Sequence, residues 1–191
     1  MKTISCNYYD TLLSADKLKR VYDIAPPRVQ QYLDAEVEHA LKYIKHDDKV
    51  LELGCGYGRI LPMIALKAAQ VIGIDTSLSS LLLAEQILSD ISNSSITQMN
   101  AIELSFNDKM FDCVLCLQNG ISAFHVNQLE LIRESVRVTK RGGVVLFSSY
   151  SEKFWKHRLE WFQLQSNAGL VGVIDNEKTG NGTIVCKDGF T

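Results

Sequence analysis

The segment Val50-Leu-Glu-Leu-Gly-Cys-Gly-Tyr-Gly-Arg59 has the residue types of a ligand-binding turn. It follows a short apolar run and opens a helical one. Glycines at 54, 56 and 58 carry no Cβ, so the backbone can turn sharply and approach a ligand closely. The helix after them offers N–H groups that have no intrahelical partner. The spacing is Gly-x-Gly-x-Gly. The dinucleotide fingerprint Gly-x-Gly-x-x-Gly requires glycine at 59, where this chain has Arg59. Glu52 stands two residues before the first glycine, where a carboxylate repels a pyrophosphate and suits a cationic ligand group. Asp75 ends the next apolar run, some twenty residues on, a position from which a carboxylate accepts both hydroxyls of a ribose. That placement supports nucleoside binding without choosing among nucleosides.

Other reactive side chains carry less. His125 precedes a helix and is a candidate general base, although a histidine there is more often a cap or a surface residue. Trp155, His157 and Trp161 could border a substrate pocket, but aromatic residues at helical spacing more often serve packing. His39 and His46 read as structural. No His, Cys or Asp cluster has metal-ligand spacing, and no Gly-x-Ser-x-Gly elbow or phosphate-loop lysine is present. The five cysteines (6, 55, 113, 116 and 186) are odd in number and scattered, which reads as reduced thiols of an intracellular protein. Cys113 and Cys116 are three apart in an apolar run. In a strand they point to opposite faces and cannot share a metal.

The elements that must position these residues alternate. Strands are expected at Lys49–Leu53, Gln70–Asp75, Ser95–Met99, Phe111–Leu117 and Val144–Phe147. They are nearly continuous apolar runs, as in a parallel sheet covered on both faces. Helices are expected at Arg28–Ile44, after Pro26-Pro27; at Arg59–Ala69; from the N-cap Ser77 to about Ile91; at Gln128–Thr139; and at Lys153–Gln165. The fold class is α/β, Rossmann-like and doubly wound, with a mostly parallel sheet and helices on both faces. To it are added an N-terminal helix and a C-terminal β-hairpin, Leu170–Asp175 and Thr183–Lys187 around a Gly- and Asn-rich turn. The chain reads as one domain: a helical cap over 1–48, a binding core over 49–150, and a helix with hairpin over 151–191.

With 191 residues, 46% of them hydrophobic, and a net charge of −2, the chain has a core to bury and no electrostatic footprint for a phosphate backbone. Met1 to Arg20 has no apolar signal-peptide core, and no stretch approaches a membrane span. The expected location is the cytoplasm, with neither nucleic acid nor membrane as partner. A homodimer is compatible with the sequence but nothing in it specifies one.

Val50 to Tyr150 resembles the catalytic core of the class I S-adenosylmethionine (SAM) dependent methyltransferases, especially those acting on small molecules. Glu52 to Gly58 matches the first motif of that family and Gly73-Ile-Asp75-Thr-Ser77 the second. Asn100-Ala101, then Leu104-Ser-Phe106 and Phe111-Asp112-Cys-Val114, resemble the third and fourth. Arg133-Glu134 through Gly142-Gly143-Val144 resembles the helix and glycine turn before the fifth strand.

The resemblance implies SAM as cofactor, S-adenosylhomocysteine as product and a small-molecule acceptor. It implies that backbone around Gly54, Cys55, Gly56 and Gly58 meets the methionine part, with Glu52 supporting its amino group. Asp75 would hold the ribose, and Thr76 and Leu78 would flank the adenine. Asn100, where the family usually has aspartate, would accept from the adenine amine, and the Ala101 N–H would meet the ring. Gln118 and Asn119 would line the methyl-transfer side. Tyr22 and Arg28 would fold over the cofactor. Asn119 joins His125 as a candidate catalytic residue. Leu117-Gln-Asn-Gly120 departs from the motifs of amino-base and cytosine C5 DNA methyltransferases. The family core ends in an antiparallel sixth and seventh strand. Here the hairpin at 170–187 is expected to be an insertion over the substrate site, in a chain shortened before those strands. The alternatives are an NAD-dependent oxidoreductase, disfavoured by Glu52 and Arg59, and a truncated non-catalytic SAM-binding or interaction domain.

Overall fold

The computed structural model describes residues 8–191, so the reading of Cys6 lies outside the described residues. Five strands form one parallel sheet: β1 Lys49–Leu53, β2 Gln70–Asp75, β3 Ser94–Gln98, β4 Phe111–Cys116 and β5 Thr139–Phe147. Their order in the sheet is β3-β2-β1-β4-β5. The order reverses between β1 and β4, and in doubly wound sheets the ligand crevice opens at that point, beyond the carboxyl ends of the strands. The register pairs Leu53 with Ile74 and Asp75 with Gln98. The loops after β1, β2, β3 and β4 therefore converge on one place.

Alternation along the strands divides the core. Val50, Val71, Cys113 and Leu115 face helices α3 (Pro27–Leu41), α4 (Leu61–Ala65) and α5 (Leu78–Ile87). Leu51, Leu53, Ile72, Ile74, Val114 and Cys116 face α7 (Gln128–Val138) and the loop between β3 and β4. Cys113 and Cys116 thus lie on opposite faces of the sheet, as the strand period requires. A third cluster joins the N-terminal helices α1 (Tyr8–Thr11) and α2 (Ala15–Asp23) to α8 (Trp155–Asn167) and the C-terminal segment, through Val21, Leu33, Trp161, Phe162, Ile184 and Phe190. The remaining short helices are α6, Gly120–Ala123, and a 3-10 turn over Glu152–Phe154 that leads into α8.

Local chemistry sets the ends of these elements. Ser77 caps α5 by accepting from the Ser80 N–H, and Asn127 caps α7 by accepting from Leu129 and Glu130. On α7, Arg137 donates to the carbonyls of Leu104 and Phe106 and pairs with Asp108 and Glu134, while Glu134 accepts the Leu104 N–H. This network ties the loop between β3 and β4 to α7.

Three expectations need correction. The helix placed at Arg59–Ala69 is only Leu61–Ala65. Its first turn carries Pro62, and after it the chain is drawn down so that the Ala69 N–H reaches the Asp48 carbonyl at 3.0 Å. The fifth strand begins at Thr139 instead of Val144, with a register shift against β4 between Phe111 and Cys113 and left-handed Gly142 within it. The C-terminal hairpin is reduced to isolated antiparallel bridges, Ile174 with Cys186 and Gly180 with Thr183. Its two arms pack on the third cluster and do not join the sheet.

Candidate functional site

The glycine loop is held open by its neighbours. The N–H groups of Gly54 and Cys55 both donate to the Ile74 carbonyl, at 2.8 and 2.9 Å. The Asp75 carboxylate accepts the Gly56 N–H on one oxygen and the Ser77 N–H on the other, each at 2.8 Å. Each oxygen keeps a lone pair for a further donor. Gly54 has φ of +72°, and a Cβ on it would lie 2.5 Å from the Phe124 ring, so only glycine fits. Gly58, at φ +79°, lies against Ala84 of α5, where a Cβ would come within 3.2 Å of the alanine methyl. Its role is to let helix and loop pack.

A cavity of about 530 Å³ opens over this loop at the carboxyl ends of the strands. Of the residues singled out in the sequence, Gly54, Gly56, Asp75, Thr76, Asn100, Ala101, Gln118 and Tyr22 are brought together in its lining. The other expected cofactor residues are placed differently. Cys55 points into the core under α4 and α5, where burial pushes its thiol far up. Gly58 packs, as above. Leu78 is exposed at the start of α5, outside the lining. Arg28 is exposed on α3, donates to Gln31 and does not reach the cavity, because the first turn of α3 points it at solvent. Asn100 also accepts the Ile102 N–H at 3.2 Å, so it caps the turn as well as lining the wall.

Glu52 lies behind the lining. It is 6% exposed, and burial raises its carboxyl to about 8, opposed by Arg59 and assisted by Asp75 and Glu36. Around it is a set of polar atoms left without partners. Glu52 Oε2, Glu36 Oε2, Arg59 Nη2 and both side-chain polar atoms of Gln118 are buried and make no hydrogen bond. Arg59 lies over the Tyr22 ring at 4.6 Å, and Glu36 accepts the Gln118 N–H at 3.2 Å. Gln118 and Asn119 are successive residues in the left-handed region, with φ of +55° and +63°. Such backbone is costly outside glycine and clusters at functional sites. The cluster holds carboxylates and a guanidinium together, a set that complements an α-amino acid zwitterion.

Sequence reasoning missed several residues here. Glu36 is one of several acidic residues on α3, and no spacing singles it out. Phe124 belongs to no motif. Asp10 of α1 accepts from the Thr76 hydroxyl at 2.5 Å, a contact across 66 residues, and lines the cavity beside Asp75.

A second cavity of about 380 Å³ adjoins the first and shares Tyr9, Gln118 and Ala123 with it. Asn119 and His125 are in its wall. Asn119 accepts from the Ser149 hydroxyl at 3.0 Å, and the His125 ring lies 3.2 Å from the Thr191 carbonyl. Trp155 lines this cavity, whereas Trp161 is buried and donates to the Val21 carbonyl, and His157 rests against Phe154. The C-terminal segment contributes Gly182, Thr183, Ile184, Phe190 and Thr191 to the wall of this second space. Among the described residues no group of three or more His, Cys, Asp or Glu could hold a metal, and no helix is long and apolar enough to cross a membrane.

Comparison with known proteins agrees with this geometry. Residues 50–143 match the family model described as a methyltransferase domain. The chain is 34% identical over 137 residues to a ubiquinone biosynthesis O-methyltransferase of Pseudomonas fluorescens (strain Pf0-1), covering 70% of this chain and 54% of that protein. The chain spans about half the length of the curated relatives it matches. Among solved structures, the YcgJ protein of Bacillus subtilis is similar with a TM-score of 0.57 at 20% identity, over 75% of this chain and 69% of that one. A SAM-dependent methyltransferase of Methanosarcina mazei gives 0.53 at 24% identity, over 64% and 62%. At these identities the structures establish the fold. With the family match over the motif-bearing strands and loops, residues 50–143 form a methyltransferase domain, built on the α/β fold shared with those structures.

Proposed function

We propose that the protein transfers a methyl group from SAM to an N, O or S atom of a small molecule, with the cofactor in the larger cavity and the acceptor in the smaller. The observation that carries this is the pair of adjoining cavities with Gln118 in the wall of both, over a Gly-x-Gly-x-Gly loop anchored by Asp75. Asp75 would accept the ribose hydroxyls on its free lone pairs. Asn100 and Ala101 would meet the adenine. The partnerless groups of Glu52, Glu36, Arg59 and Gln118 fit the ammonium and carboxylate of the methionine end. Bound SAM supplies a methyl carbon already activated by its sulfonium.

The protein then has to align an acceptor lone pair with that carbon and keep water out. Phe124 over Gly54 and the aromatic wall of the second cavity provide the dry surfaces. Among the polar groups in that wall, Asn119 would orient an acceptor by hydrogen bonding and the His125 ring would receive its proton. The name of the Pseudomonas relative makes oxygen acceptors the first to screen.

The test is calorimetric titration with S-adenosylhomocysteine, SAM and NAD in parallel. Saturable binding of the first two and none of NAD is expected. Binding of NAD alone would replace this reading with the oxidoreductase one, and binding of none would leave an interaction domain.

A further inference from the structure

Arg158 of α8 stands in the wall of the second cavity with an unusual set of neighbours. Its guanidinium lies 4.5 Å from the Tyr150 ring centre, 5.7 Å from Phe162 and 6.0 Å from Trp155. Nη1 donates to the Gly182 carbonyl at 2.7 Å, while Nε is buried with no acceptor. Among the described residues no carboxylate lies within 4.0 Å of it. The contrast is Arg137, which is paired with both Glu134 and Asp108. The titratable groups nearest Arg158 are the phenols of Tyr150, Tyr9 and Tyr32, which burial keeps neutral, so none of them supplies a counter-charge. Glu152 and His125 share the cavity wall, but Glu152 is exposed.

Arginine stays protonated, so a half-buried guanidinium without an anion is an expensive arrangement that aromatic faces offset only in part. A guanidinium with donors still unused can grip a carboxylate or phosphate through two parallel hydrogen bonds. We propose that Arg158 is an anion-binding residue of the second cavity, and that the acceptor is a small anionic molecule, a carboxylate or phosphate ester, with a flat apolar body lying among Tyr150, Trp155 and Phe162. This deepens the acceptor reading of that cavity and rests on it.

The experiment uses benzoate, its neutral isostere benzamide, and phenyl phosphate as probes. Each is titrated calorimetrically into the full chain with and without S-adenosylhomocysteine. Benzoate or phenyl phosphate is expected to bind at least ~10-fold more tightly than benzamide. The preference should disappear in Arg158→Met and survive in weakened form in Arg158→Lys, with S-adenosylhomocysteine affinity unchanged in both. A stronger benzoate arm indicates a carboxylate acceptor and a stronger phenyl phosphate arm a phosphate one. Equal binding of benzoate, phenyl phosphate and benzamide to the wild-type chain, or no binding of any, overturns the proposal without recourse to a variant. So does an anion preference that persists unchanged in Arg158→Met. Failure of S-adenosylhomocysteine to bind while the anion preference holds overturns the cofactor reading alone.

Discussion

Replacing Asp75 with asparagine tests the cofactor site at the group that both shapes and serves it. The carboxylate accepts the Gly56 and Ser77 N–H groups on its two oxygens, each at 2.8 Å. Asparagine offers one oxygen and one NH2 in the same place. Whichever way the amide is turned, one backbone N–H then faces a donor, which costs about 1–3 kcal/mol. Burial already raises the Asp75 pKa, so loss of the ionised group returns part of that, and a net destabilisation of about 1–2 kcal/mol is expected. For a chain of this length that lowers Tm by about 2–8 °C. On the ligand side, a hydrogen bond from a ribose hydroxyl to a carboxylate contributes about 1.5–3 kcal/mol and one to a neutral amide about 0.5–1.5. Added to displacement of the glycine loop, the loss corresponds to about 10- to 100-fold weaker S-adenosylhomocysteine binding, at 1.4 kcal/mol per decade. Calorimetry and a thermal melt on the same preparation read both numbers. Affinity within about twofold of wild type would refute the ribose role. If Tm alone fell, Asp75 would be an anchor of the loop and nothing more.

Glu52 carries a pH signature. Its folded pKa is raised from 4.5 to about 8, so the folded protein holds a proton that the unfolded chain has released. Stability is therefore present at low pH and falls as pH rises through that window, by at most about 1.4 kcal/mol per unit from this group. Chemical denaturation across the window should show the decline, flattened in Glu52→Gln; an identical profile in the variant would rule Glu52 out as its source. The same group predicts that binding a ligand ammonium at pH 7 expels a proton, seen as a binding enthalpy that varies with the ionisation enthalpy of the buffer. Gln118→Met removes two partnerless buried polar atoms while nearly keeping volume, so Tm should rise by about 2–4 °C for each kcal/mol relieved, while S-adenosylhomocysteine affinity falls. A melt that rises with undiminished binding would remove Gln118 from the site. Gly58→Ala places a methyl 3.2 Å from Ala84 at φ +79° and should cost about 1–3 kcal/mol in denaturant unfolding; a neutral effect would mean that loop and α5 separate easily.

Much of the site was readable because its residues act through backbone position. Gly54, Gly56 and Asp75 sit at strand ends, and the strand ends follow from apolar runs and turn residues. Once the strands align in parallel, these loops have to meet. The errors fall where a local pattern is overridden. The alanines and leucines after Arg59 have good helix propensity, yet the segment is helical only for Leu61–Ala65, because it must return to pair beside Asp48. The cysteine pair needed no structure, since a period of two puts residues three apart on opposite faces.

The sequence by itself determined the sheet, the direction of its strands and the glycine loop with its acidic partner, because each depends on short-range periodicity and on conformations open mainly to glycine. Only the tertiary structure decided which charged residues are out of water. Glu36, Glu52 and Arg59 come from a helix, a strand and a loop, and they meet behind Gln118 only when those elements pack. Arg158 likewise became distinctive through what surrounds it: three aromatic rings from α8 and the end of the sheet, a carbonyl from the C-terminal segment and, among the described residues, no carboxylate. Desolvation and missing partners are properties of assembled surroundings, and no spacing along a chain encodes them.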